Sequence, residues 1–122
     1  MPDFLIITNT SEFLRIPAES LVFVSSDGNY SDIGTRDGHK HTVTVQLGMI
    51  EEMIKDQMPD RSREFVRIGK SLIVNLSFVH YINPSKKQIV LSDCHTFKFS
   101  LEASKEALKL LKEYVEPKTT KK

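Results

Sequence analysis

Tryptophan is absent, and cysteine occurs once, at Cys94. A single cysteine excludes an internal disulfide and fits a reducing compartment, so the expected location is cytoplasmic. No apolar run approaches the ~20 residues needed to span a bilayer. The start, Met1–Thr8, has neither a basic stretch nor a small-residue cleavage pattern, which argues against secretion. The few aromatics alternate as core residues, so a stacking platform for single-stranded nucleic acid ranks last among the binding functions. Paired carboxylates, a phosphate-cradling glycine loop and a nucleophile–base triad are all missing, and the expectation is no enzyme and no cofactor. His39 and His41 share a strand face and His95 follows Cys94, but no zinc-type spacing joins them, so no metal is expected.

What is present is a segregated charge. The 122 residues net only +1. Residues 1–60 carry four Lys/Arg (Arg15, Arg36, Lys40, Lys55) against ten Asp/Glu, whereas residues 61–105 carry eight (Arg61, Arg63, Arg67, Lys70, Lys86, Lys87, Lys98, Lys105) against three. Such a chain can gather a cationic ridge from its second half, and a ridge of that kind suits phosphates. The competing reading is a solvated surface with accidental segregation.

Apolar β-rich runs separated by polar corners dominate the order. Strands are expected at Phe4–Thr8, Phe13–Ile16, Leu21–Val24, Tyr30–Thr35 and His41–Val45, the last two joined across Asp37-Gly38, a strong hairpin signal. Leu47, Ile50, Met53 and Ile54 recur at helical spacing, so Gln46–Met58 reads as an amphipathic helix ended by Pro59. Phe65–Ile68 and Leu72–Val74 read as strands broken at Gly69-Lys70, and Phe78–Ile82 as a short strand or helical turn. Gln88–Ser92 and His95–Phe99 read as a hairpin across Asp93-Cys94, with Cys94 under φ > 0 strain. A final helix is expected from Leu101, with Leu101, Leu108, Leu111 and Val115 on one face and Ser100 as its N-cap. Pro117 stops it, leaving 118–122 as a basic, disordered tail. The fold class is mainly β, antiparallel, with two short helices, and residues 1–117 form one domain.

The corner at Asp27–Tyr30, the helix near Leu47–Ile54, Arg67-x-x-Lys70-Ser71-x-x-Val74-Asn75 and Phe97–Ser100 before a last helix form an ordered set of motifs. In that order and spacing the chain resembles the LytTR-type (LytR/AlgR family) DNA-binding domain of bacterial transcription regulators. The resemblance spans nearly the whole chain. It implies an elongated fold of stacked sheets that lays inter-strand loops, not a recognition helix, into the major groove of double-stranded DNA. It also implies two copies on repeated half-sites. Three segments match the family's DNA-contacting regions: Asn29-Tyr30, Arg67–Ser71 and Ser100–Lys105. Gly69-Lys70 stands where the family commonly has His-Arg, and Leu101-Glu102 where it commonly has Arg. The family often carries a phosphorylatable receiver in front, whereas here Met1 opens almost directly into the domain, so a free-standing regulator is expected.

Each candidate has two readings. Lys70, and with it Lys98 and Lys105, reads as a phosphate contact or as a surface lysine; lysine lacks arginine's fork for guanine. Arg67 reads as a base or phosphate contact, or as a surface ion pair. Ser71 and Ser100 donate to phosphate or serve turn and cap, with the cap favoured for Ser100. Tyr30 stacks on nucleic acid or sits half-buried in a sheet, and Asn75 satisfies turn backbone rather than reading a base. Glu102, expected in the helix's first turn, favours the helix dipole and repels phosphate. Lys86 and Lys87 clamp phosphates or are simply solvated. The alternative function is a protein-interaction module that keeps the fold without DNA affinity.

Overall fold

The computed structural model describes residues 3–117, and the expected tail at 118–122 lies outside them. Ten strands and two helices follow one another as β1 (Phe4–Thr8), β2 (Phe13–Pro17), β3 (Leu21–Asp27), β4 (Tyr30–Thr35), β5 (Lys40–Val43), α1 (Leu47–Gln57), β6 (Phe65–Ile68), β7 (Leu72–Asn75), β8 (Val79–Asn83), β9 (Gln88–Ser92), β10 (Lys98–Glu102) and α2 (Lys105–Val115). They form three antiparallel sheets: β1-β2, a five-stranded sheet in the order β5-β4-β3-β7-β6, and β10-β9-β8.

The five-stranded sheet is the middle layer, which explains the unbroken apolar runs Leu21–Val24 and Leu72–Val74 in its central strands. A strand covered on both faces needs no polar alternate. Val24 and Ile73 turn to one side, into a core with Leu5, Ile7, Ile16 and the Ile50 and Ile54 face of α1. Phe23, Leu72 and Val74 turn to the other, into a core with Ile89, Leu91, Phe97, Phe99, Leu108 and Leu111. Phe23 meets Phe99 edge-on at 4.9 Å between centroids, joining the middle and three-stranded sheets. Asn75, buried at the end of β7, donates to the Leu21 carbonyl (2.8 Å) and accepts from the Ser77 amide (2.9 Å), so it serves backbone groups.

Most strands and the first helix stand where they were expected, and the C-terminal third differs. His95–Phe99 is not a strand. The Asp93 carboxylate accepts from the amides of His95, Thr96 and Phe97 (2.9, 2.7 and 3.3 Å), which removes those groups from any ladder. The strand starts at Lys98 and pairs with β9 through Glu102, burying Phe99 while Lys98, Ser100 and Glu102 face outward. Period-two alternation in Lys98–Glu102 therefore overrides the helical reading of Leu101. Ser100 is not an N-cap. The cap is Ser104, whose Oγ accepts from the Ala107 amide at 3.1 Å. Glu102 is consequently a strand residue, and the acid in the first turn of α2 is Glu106. Ala107, Leu108 and Leu111 make the buried face of α2, while Tyr114 and Val115 are exposed. Cys94 has the positive φ expected of it, +66°.

Candidate nucleic-acid interface

The β3–β4 corner is a two-residue hairpin closed by the Asp27–Tyr30 pair, with Gly28 at φ +65°. Positive φ at the first central residue matches a type II′ turn, whose twist suits antiparallel strands. Asn29 and Tyr30 are exposed at its tip. The β6–β7 connection is three residues, Gly69, Lys70 and Ser71, closed by the Ile68–Leu72 pair. Because β3 and β7 are neighbours, these two corners lie at the same end of the middle sheet. Ser25 pairs with Leu72, and the Ser26 amide donates to the Ser71 carbonyl at 2.8 Å.

The start of α2 joins that end. A Cβ placed on Gly69 would lie 3.6 Å from the Ala107 Cβ, so the loop runs against the first turns of the helix. Just before α2, the Ala103 amide donates to the Lys87 carbonyl at 3.2 Å, which brings in the β8–β9 turn. The cations there are Lys70, Lys86, Lys87 and Lys105. All four are exposed, and none forms an ion pair among the described residues.

The other predicted residues separate. Arg67 is held by Glu51, with Nη1 donating to Oε1 at 3.0 Å, and Nη2 donates to the Lys70 carbonyl at 2.9 Å. Arg67 thus forms an ion pair in the structure. Arg61 is likewise paired, with both oxygens of Glu64 at 2.6 and 3.0 Å. Ser100 sits mid-strand, accepting from the Gln88 side chain at 3.0 Å. Lys98 pairs with Ser92 at the opposite end of β10 from α2, four residues or roughly 13 Å along the strand. The expected single ridge is therefore narrower than the eight cations of residues 61–105: two carry carboxylates, Arg63 precedes β6 at the end away from Gly69, and Lys98 lies elsewhere. Tyr30 is 50% exposed, and Tyr81 and Tyr114 are exposed too, so the tyrosines are not core residues.

The opposite end has a different chemistry. Asp93 organises its loop there, close to Arg36 (3.9 Å) of the β4–β5 turn. Burial pushes the Asp93 carboxyl up, but the three backbone amides that donate to it outweigh this and hold it well below the usual range. Asp37, in the same β4–β5 turn, is lowered to about 2 by the Thr35 hydroxyl and then the His39 amide. These carboxylates stay ionised and oppose a second anion-binding surface. Sequence reasoning missed Glu51 and Ser104. Ser104, three residues before the buried Ala107, was a legible cap signal; nothing local to Glu51 announces its partner sixteen residues later.

The LytTr DNA-binding domain family model matches residues 11–116. Among solved structures, the LytTr DNA-binding domain of a methyl-accepting/DNA response regulator from Bacillus cereus is similar. Its identity is 14%, with a TM-score of 0.59, covering 91% of this chain and 94% of that one. No curated protein matches. Among the described residues no helix is long and apolar enough to cross a membrane.

Proposed function

We propose that this chain, which belongs to the LytTr DNA-binding domain family, reads double-stranded DNA sequence-specifically with the end of its middle sheet and thereby regulates transcription. The observation that carries the proposal is the convergence of Asn29-Tyr30, Lys70-Ser71 and Lys105 at one end, with every lysine there free of a carboxylate among the described residues. A two-stranded ribbon fits a major groove about 12 Å wide. Adjacent strands are about 4.8 Å apart, so each hairpin corner can enter it. Lys70, Lys86, Lys87 and Lys105 supply phosphate contacts, and the Asn29 amide and Tyr30 hydroxyl supply groups that can meet base edges. Lys98 and Ser100 stand apart from this contact. The family is DNA-binding and not enzymatic, and the site needs no cofactor for this role.

The test is selection of binding sites from random duplexes, followed by titration of the winning site at several salt concentrations. Log affinity should fall linearly with log salt. Lys70→Ala should weaken binding by roughly 1–3 kcal/mol and reduce the salt slope by about 0.9, whereas Lys98→Ala should change neither. Equal losses from both variants would move the interface off this end. Absence of duplex binding at low salt would favour the protein-interaction alternative.

A further inference from the structure

We infer that Arg67 is a positioning residue for the Gly69–Ser71 loop and not itself a DNA contact. The inference rests on the DNA-binding reading above and assigns the division of labour within it. The guanidinium bridges two elements at once, Glu51 on α1 at 3.0 Å and the Lys70 carbonyl at 2.9 Å. Both side chains of the ion pair are only about one-third exposed, at 33% and 31%. Gly48, one turn earlier on α1, lines the same spot: a Cβ there would stand in ordinary contact, 3.8 Å from Nη1. The bridge acts on backbone: anchoring the Lys70 carbonyl sets the peptide plane between Lys70 and Ser71, and with it the directions in which both side chains leave.

The other sides of the loop are already fixed. Gly69 at φ +60° runs against Ala107, and the Ser71 carbonyl accepts from the Ser26 amide at 2.8 Å. Between those two anchors lies the Lys70 carbonyl, and Arg67 donates to it. A three-residue loop pinned from β3, α1 and α2 presents its lysine with little ordering left to lose on binding, which is how preorganisation raises affinity.

The two possible roles of Arg67 predict opposite signs. If Arg67 met phosphate directly, Glu51 would compete with DNA, and its removal would tighten binding. If Arg67 braces the loop, removing Glu51 frees the brace and weakens binding. The experiment measures duplex affinity for Glu51→Ala and Arg67→Lys, each alone and combined with Lys70→Ala. Glu52→Ala on the same helix serves as the control for charge removal.

Arg67→Lys keeps the charge but loses the fork that spans both partners. Each variant should weaken binding about tenfold, the equilibrium worth of one charged hydrogen bond. In the Lys70→Ala background the further loss should shrink below about twofold, because a residue acting through Lys70 has nothing left to position. Amide exchange at Ser26, which donates to the Ser71 carbonyl, should quicken in both variants of the free protein. Should either variant melt well below wild type, Glu51→Gln and this exchange measurement decide the matter. Binding tighter than that of Glu52→Ala, or losses that add fully to Lys70→Ala, overturns the inference. Wild-type protein that ignores DNA removes the DNA-binding reading itself, and this inference with it.

Discussion

Replacing Gly34 by alanine should damage the joint between the sheets while leaving every surface residue intact. Gly34 on β4 stands directly across from Phe23 on β3. A Cβ on Gly34 would fall 2.0 Å from Cε2, 2.4 Å from Cδ2 and 2.8 Å from Cζ of that ring. Those distances are far inside contact, and the ring has little room to yield. Phe23 is 1% exposed and lies edge-on to Phe99, which in turn lies 5.5 Å from Phe97. Overpacking of this kind costs about 1–3 kcal/mol. For a domain of this size each kcal/mol lowers Tm by roughly 3–6 °C.

Urea unfolding followed by circular dichroism measures the loss, and the cycle with Phe23→Ala identifies its origin. Trimming the ring carries its own cavity cost. In that background, however, Gly34→Ala should be neutral or slightly stabilising, because alanine restricts the unfolded chain. An unchanged midpoint for Gly34→Ala, or the same penalty in both backgrounds, would refute the steric account.

Ser104→Ala should cost about 1 kcal/mol by removing the acceptor for the Ala107 amide. Ser100→Ala should stay within about 0.5 kcal/mol of wild type, and paired thermal melts distinguish the two serines. Asp93 has its folded pKa held below the ordinary 3.8, so its contribution is present above pH 3.8 and is lost as pH falls through the lower folded value. Asp93→Asn retains an oxygen acceptor but no titration, and its stability should fall less steeply than wild type below pH 3.8 in urea midpoints collected against pH. Identical acid limbs would remove Asp93 from the account. Asp37, lowered to about 2, should persist as the residual acid dependence between pH 3.8 and about 2.

The parts of the fold that were legible share a property: one local signal, with no competitor. Leu47, Ile50 and Ile54 could only make a helix face, and the Asp37-Gly38 corner could only turn a hairpin. The C-terminal third was misread because two signals overlapped there. Leu101 continues both the alternation of Lys98–Glu102 and the helical spacing toward Leu108, and only cross-strand partners on β9 decide between them. The Asp93 loop was hidden for a similar reason. One carboxylate collecting three successive amides leaves no periodic trace, although Asp is a residue from which such capping is expected.

The candidate site could be read from sequence as separate residues but not as an assembly. Exposed lysines at strand breaks could be picked out one by one, whereas their grouping depends on which strands become neighbours. The pairing of β3 with β7 brings Lys70 beside the Asn29-Tyr30 corner, and nothing near either segment specifies it. The same topology shows why net charge is a poor guide here. Carboxylates pair cations that are otherwise free to meet phosphate: Glu51 of the first half holds Arg67, and Glu64 of the second holds Arg61. The surviving lysines are few, so affinity per contact depends on how firmly each is presented. A short loop anchored on three sides meets that demand. On the proposed function, a near-neutral protein selects DNA by placing a handful of charges well, because a strong overall field is not available to it.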